Sequence, residues 1–575
     1  MKRTNKNYLW LFLLVPVLLS IACNATSSVA PDEEPSDSEV GQSSTQAPVP
    51  PAAPVIEEPV AVPGSGQTFS VAPNGSDDND GSPASPWATI QHAVDSVAPG
   101  DTILIESGTY AGARIERSGT ADEWITLQAA PGASILINAP GPNNKHESNL
   151  EFETWEGTKT VSFWAVSGLE IVDAPYWGID LRGNEETHSS GFVIQNNRIH
   201  DNGLDAGKSG IFFAFVDDVL VENNESYSNG EHGIYLSNSG DRFVVRGNSL
   251  YENNNCGLHI NGDLESGEDG IISNGLIENN TIYENGEGGC AGINMDGVTD
   301  TIVQNNLLYE NLGSGIAIFQ ENGAVCSQNI QVLNNTIVQA EEGRWAIIIN
   351  GDDCINNKIF NNIILTYHEW RGSIVIPEPG ILGFESDYNV IMDRFSADDD
   401  DSVISLSEWQ ALGYDNNSII AAPNEMFIGP DDYALYDGSP AVNAGLALPG
   451  LTLDMRGTAR PQGAAFDIGA LEFGDSPQAQ SPTAIPSAAG SSGGTITYTF
   501  DGRVYRIAAE EGAVPEDISL ALDALSPGGG DRRLNISPDG NWLVVETERF
   551  DPECDGWSCL AIISADLSSG EVVRA

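Results

Sequence analysis

Short apolar runs alternate with asparagine- and glycine-marked turns through the middle of this 575-residue chain, and the alternation keeps a stride. The runs read VIQNNRIHDN, VLVENNESYSN, VVRGNSLYENN, GLIENNTIYEN, TIVQNNLLYEN, VLNNTIV and KIFNNIIL. Their second asparagines, Asn197, Asn224, Asn248, Asn280, Asn306, Asn335 and Asn362, lie 27, 24, 32, 26, 29 and 27 residues apart. A repeat of that length marks a solenoid or array. Within each unit a β-branched strand, a polar turn, a second apolar stretch and a Gly-led strand such as GIYL, GLHI, GINM or GIAI follow one another. Alternation over so few residues fits no helix and predicts about three short strands per coil. Coils stacked in parallel pair backbone to backbone, so the expected fold is all-β, a right-handed parallel β-helix.

Stacking also accounts for the asparagines. Like residues lie over one another, so an inward amide bonds the next amide and the turn backbone, satisfying groups that are costly to bury unpaired. They are read as structure, not chemistry.

The same pattern sets the boundaries. Residues 67–474 are expected to form the β-helix. Ser85 as N-cap and Pro86 as first helical residue begin a helix whose stripe of Trp87, Ile90, Val94 and Val97 covers the open N-terminal end. Asp454, Arg456, Arg460, Asp467 and Glu472 are read as paired charges fixing the other end. Before the core, Lys2, Arg3 and Lys6 precede an apolar run, Tyr8 to Leu19, and Ser20-Ile21-Ala22-Cys23. This makes residues 1–23 a secretory leader. Residues 24–66, rich in Pro, Ser, Ala and Glu, form a tether without a core, and residues 475–494 form a second linker.

Net charge is −59, with 83 acidic against 24 basic residues, which excludes nucleic acid as a partner. An acidic polysaccharide then needs a local basic spot or a bridging cation. Cysteine placement agrees with export: the register puts Cys256 beside Cys290 and Cys326 beside Cys354 in neighbouring coils, about 4.8 Å apart, which suits disulfides. Cys554 and Cys559 are expected to close a small loop.

Aligning the Gly-led strands yields outward columns. One reads Phe212, Tyr235, His259, Asn294 and Ala317; two residues on, another reads Ala214, Ser237, Asn261, Asp296 and Phe319. Residues two apart in a strand share a face. With Lys208, Glu231 and His232 before the strands and Asp217, Asp241, Asp263 and Glu321 after them, the columns predict an exposed strip. Rings, amides and carboxylates are what a sugar groove requires. Tyr235, Asn261, Asn294, Asp296 and Phe212 are the expected substrate-binding residues. Lys208, His232 and His259 are the candidate bases. Asp241, Asp263 and Asp296 are the candidate ligands for Ca²⁺, the one cofactor considered.

Three passages resemble known families. Ser20 to Cys23 looks like a bacterial lipoprotein signal, which implies lipidation of Cys23; ordinary cleavage without lipid is the alternative. TFSVAPNGSDDNDGSPASPWATIQHAVDSVAPGDTILIESGTY resembles the start of exported β-helix proteins, including the family 9 pectate lyases and an uncharacterised group beside them. The DGxxxK strand of those lyases is not found here, so no catalytic set transfers residue by residue. In residues 495–575, RRLNISPDGNWLVVETER resembles a TolB-type β-propeller blade, too little chain for a propeller of four blades or more. Three functions remain: a surface-anchored monomer that binds or processes extracellular polysaccharide, a Ca²⁺-dependent uronate lyase or epimerase-like enzyme, and a non-catalytic adhesive solenoid whose tail engages a protein partner. The first is favoured.

Overall fold

The computed structural model describes residues 65–154, 159–429 and 432–474, with the strand backbones between Thr495 and Arg574. The leader with Cys23, the tether up to residue 64, the 475–494 linker and the Cys554–Cys559 pair lie outside the described residues. From Thr68 onward the chain winds as a right-handed parallel β-solenoid of three sheets, with 12, 11 and 12 strands. Each coil contributes one strand per sheet and pairs in parallel with the coils before and after it. In the second sheet Ile179, Ile211, Ile234, Leu258, Ile293 and Ile316 stack in register and point inward, all of them fully buried.

Two amide ladders lock the coils. The Asn280 carboxamide oxygen accepts from the Asn248 backbone N–H at 2.9 Å and from Asn248 Nδ2 at 3.0 Å. Its own Nδ2 donates to Val245 O at 2.8 Å and to Asn306 Oδ1 at 2.9 Å. The pattern repeats from Asn197 to Asn389, where Asn389 Nδ2 donates to the buried Asp415. A second ladder, not separated out from the sequence, runs through Asn202, Asn229, Asn253, Asn285 and Asn311. The first asparagine of each pair has a different task. Asn196, Asn223, Asn279, Asn305, Asn334 and Asn361 all have φ between 50° and 58°, and Gly247 stands at the same place with φ 65°. That left-handed turn favours Asn and Gly, so a pair of asparagines turns the chain and then bonds it.

The register pairs the cysteines as expected: Cys256 is joined to Cys290, and Cys326 to Cys354. The helix starts later than expected. α1 spans Ile90–Ser96 and its N-cap is Thr89, whose side chain accepts from the His92 N–H. Asp77 explains the shift, because its carboxylate takes the N–H groups of Ala88 and Thr89, while Trp87 N–H bonds Ser70 O in a β-bridge. Trp87, Ile90, Val94 and Val97 are nevertheless all buried in the solenoid core. A second helix, α2 (Leu406–Ala411), buries Trp409 against Phe395 and donates from its indole to Asp415 at the ladder's end.

The closing segment packs along the side of the solenoid. Leu448, Leu451 and Phe466 lie against the outer face of the first sheet, and Met426, Phe427, Tyr433 and Ile468 against that of the third. Arg460 is buried, ion-paired with Glu472 at 2.8 Å and bonded to Asn305. Asp454 and Asp467 accept backbone N–H groups, and Arg456 is exposed, so the five charges do not pair as expected. Beyond residue 494 the strands form antiparallel sheets of three and four strands.

Removing the Asn280 amide takes a buried partner from the Asn248 N–H and from the Val245 carbonyl. Asn280→Ala is expected to cost about 2–4 kcal/mol. Asn280→Asp should fare no better, because a carboxylate cannot donate to Val245 O. Urea denaturation midpoints check both, and unchanged midpoints would contradict the ladder's role.

Candidate functional site

The outward columns form on the second sheet in the expected register. Phe212, Tyr235, His259, Asn294 and Ala317 pair in sequence, and so do Ala214, Ser237, Asn261, Asp296 and Phe319. The first column also continues upstream through Arg114, Glu151 and Asp180, and Arg182 joins the second column next to Ala214.

The strip is not exposed. Phe212, His232, Asn261, Asn294 and Asp296 are buried, and Tyr235, His259 and Lys208 are half-buried. Its side chains pack on one another: Tyr235 meets Phe212, His232 and His259, and Asn294 bonds His259. Asp296 anchors the turn after the next strand: its carboxylate accepts the N–H groups of Glu321, Asn322 and Gly323 at 2.8, 2.7 and 3.0 Å. The preceding turn bonds to this one through Leu264 N–H to Asn322 O, and Ala324 N–H returns to Gly270 O. Asp296 is therefore a loop clamp rather than a groove ligand.

The expected Ca²⁺ set does not converge either. Asp241 accepts from Ser273 N–H, Asp263 from the Ser266 hydroxyl, and Asp296 is filled as described. Among the described residues two other groups lie close enough to share an ion. In one, Cys256 and Cys290 are already a disulfide beside His232. In the other, Lys145 and His146 pair with Glu153, and Glu151 accepts the N–H groups of Lys145 and His146. Burial alone would raise the Glu153 carboxyl, but the hydrogen bonds from His146 and Lys145 hold it down at about 2. Among the described residues, neither the expected aspartates nor these two groups are free to hold a calcium ion as they stand.

Both candidate histidine bases are occupied. His232 Nδ1 accepts the Cys256 N–H at 3.1 Å, and His259 Nδ1 lies 2.9 Å from the Asn294 amide nitrogen. With Nδ1 accepting, the hydrogen-bond network assigns the ring proton to Nε2, leaving no lone pair for a substrate proton. Burial lowers His259 to about 4, and burial with His259 and Lys208 nearby lowers His232 well below its ordinary value.

Lys208 is placed differently. Its Nζ lies 5.1 Å from the centre of the Trp177 ring and 5.9 Å from that of Tyr176. Trp177 stacks on Phe212 at 4.8 Å, and Tyr235 meets Phe212 edge-on. Arg182 lies over both stacked rings, 4.7 Å from Trp177 and 4.9 Å from Phe212. Its Nε pairs with Asp180 at 2.8 Å. Among the described residues the Arg182 Nη groups and Lys208 Nζ have no hydrogen-bond acceptor, and the buried Trp177 Nε1 has none. Asp180 and Glu231 offset the two cations in part, and burial raises both, Asp180 to about 6.

Residues 69–232 match the Pel9A-like, right handed beta helix region. The Pel9A-like region takes in Trp177, Asp180, Arg182, Lys208 and Phe212 and ends before Tyr235 and His259. Over 217 residues the chain is 30% identical to the uncharacterized protein YwoF of Bacillus subtilis, covering 35% of this chain and 44% of that one. Over 202 residues it is 29% identical to pectate lyase PEL9 of Emericella nidulans, covering 33% and 48%. The chain spans about half the length of the curated relatives it matches. The crystal structure of pectate lyase Pel9A aligns with 71% of this chain and 96% of that one, at 18% identity and a TM-score of 0.48.

The neutral histidines of the strip set a pH dependence. In the unfolded chain a histidine titrates near 6.5, whereas His259 titrates at about 4 in the fold. Between those values the unfolded state binds protons that the folded state refuses, so this part of the stability is lost as pH falls through the window. Melting temperature should fall from pH 7 to pH 4.5, and His259→Gln should flatten the slope. An unchanged slope in the variant would contradict the assignment.

Proposed function

We propose that this protein is an exported β-helix that binds an acidic extracellular polysaccharide at the Trp177–Phe212 ring pair. One observation carries the reading: unpaired donors from Arg182, Lys208 and Trp177 gather around a single aromatic platform. Of these donors Trp177 Nε1 is the buried one, and a buried polar group without a partner calls for a ligand or a function. A sugar carboxylate takes up guanidinium and ammonium hydrogens. Tyr235 extends the platform. The likeness to pectate lyase PEL9 of Emericella nidulans supports a polyuronate as the polymer.

The remaining parts fit this role. Disulfides suit an oxidising compartment, and lipidation at Cys23 would tether a monomer to a cell surface. α1 is read as the N-terminal cap, and the four-stranded C-terminal sheet as a propeller-type blade available to a protein partner. Ca²⁺ is assigned no step. Lys208 is the one expected base whose nitrogen is free, so it is the residue to which proton abstraction from a uronate would fall.

Binding is tested with the full chain, using polygalacturonate and neutral galactan, with Ca²⁺ or with chelator. Unsaturated products and new reducing ends are followed in the same samples. Polygalacturonate should bind in chelator, with galactan far weaker. Arg182→Ala and Lys208→Ala should each weaken binding about tenfold to a hundredfold, the worth of a charged hydrogen bond. Unsaturated product lost in Lys208→Ala would make the protein a lyase. Equal binding of both polymers, or variants that bind like the parent, would overturn the reading.

A further inference from the structure

Asp180 sits under the cluster just described and is its one fully buried carboxylate next to a cation. Its neighbours on the strands before and after are Glu151 and Phe212. Both of its oxygens lie close to Arg182 Nε, at 2.8 and 3.1 Å, and the Ser148 hydroxyl reaches it at 3.5 Å. The charged and titratable groups facing it are Arg182 on its own strand, Glu151 on the neighbouring strand, and His146 on the turn before that strand. Arg114, Lys145 and Glu153 surround Glu151 and His146. Lys208 lies over the Trp177 ring, and Glu231 interacts with Lys208.

Resting on the reading of this cluster as a carboxylate receptor, we infer that Asp180 is a specificity-determining residue that couples capture of an anionic sugar to uptake of one proton. The argument is electrostatic. An ionised Asp180 neutralises Arg182 and repels an incoming carboxylate through the same guanidinium that would hold it. A proton from solvent placed on a carboxylate oxygen of Asp180 removes that repulsion and leaves the full charge of Arg182 for the ligand. No covalent bond changes. By linkage the ligand must then raise the proton affinity of Asp180 as much as the proton raises that of the ligand. Burial supports the assignment, because it brings Asp180 up to about 6, within reach of ordinary pH changes. The ligand carboxylate stays ionised across that range, so the proton goes to the protein.

Two measurements test this with the full chain, trigalacturonate as probe and chelator throughout. Affinity is read at pH 7.5 and pH 5.5. The parent should bind about fivefold tighter at pH 5.5, as a roughly one-unit rise in the Asp180 pKa on binding requires. Asp180→Asn, a permanent mimic of the protonated state, should bind at pH 7.5 as tightly as the parent does at pH 5.5, with little pH dependence left. The second measurement needs no variant. Calorimetry of the parent at pH 6.5 in buffers of different ionisation enthalpy should show uptake of about half a proton per ligand bound. Binding that is lost in Arg182→Ala yet takes up no proton, or an Asp180→Asn variant that keeps the parent's pH dependence, would overturn this inference and leave the receptor standing. Absence of trigalacturonate binding at either pH would overturn both.

Discussion

The hydrogen bond from one asparagine amide to the next is the constraint on which the rest depends. Each inward carboxamide accepts the backbone N–H and side-chain N–H of the coil before and donates to a carbonyl of that coil and to the next carboxamide. A coil slipped by one residue would break all of these at once and turn its apolar face outward. The ladders therefore do more than satisfy buried groups: they fix the register of every strand. Asp415 ends one ladder with the Trp409 indole bonded to it, so the last amide is not left open.

Fixed register makes function a matter of columns. Once Ile179, Ile211 and Ile234 are pinned inward, Asp180, Phe212 and Tyr235 must face outward on adjacent strands. In a chain carrying 83 acidic residues, that geometry gathers two cations and three aromatic rings on neighbouring coils. The same rule on the third sheet stacks Tyr227, Tyr251, Tyr283 and Tyr309 face to face at 4.7–4.8 Å. Those rings turn their faces to each other, and the groove of about 800 Å³ beside them is lined by Glu252, Glu284, Glu287, Glu310 and Glu341. Walls of like charge suit an anionic sugar poorly. The Trp177–Phe212 pair is stacked as well, but the charges beside it are those of Arg182 and Lys208.

Coil, register and disulfide pairing were legible in the sequence because they repeat: Asn, Gly and Cys mark the same point in successive units. The site was legible only in part. Tyr235, His259 and Asn294 could be placed in one column because GIYL, GLHI and GINM align. Their burial could not, since it depends on side-chain contacts such as those of His232 with Tyr235 and His259, and the role of Asp296 as a turn anchor appears only in three dimensions. Trp177, Asp180 and Arg182 lie in an early coil without the asparagine pair, so GIDLRG had no register to join. Its leading Gly-Ile, the same start as GIYL, was the available signal. His232 and His259 looked like bases by residue type; only the hydrogen bonds to Cys256 and Asn294 show that their accepting nitrogens are taken.

The central claim is that the Trp177–Phe212 platform, with Arg182 and Lys208, receives a sugar carboxylate directly. A crystal structure of the protein soaked with trigalacturonate in chelator tests it most directly. The account predicts a sugar carboxylate within hydrogen-bonding distance of Arg182 Nη and Lys208 Nζ, and the Trp177 Nε1 hydrogen bonded to ligand. Sugar density in the groove between Glu252 and Glu341, with the platform left as it stands, would contradict it.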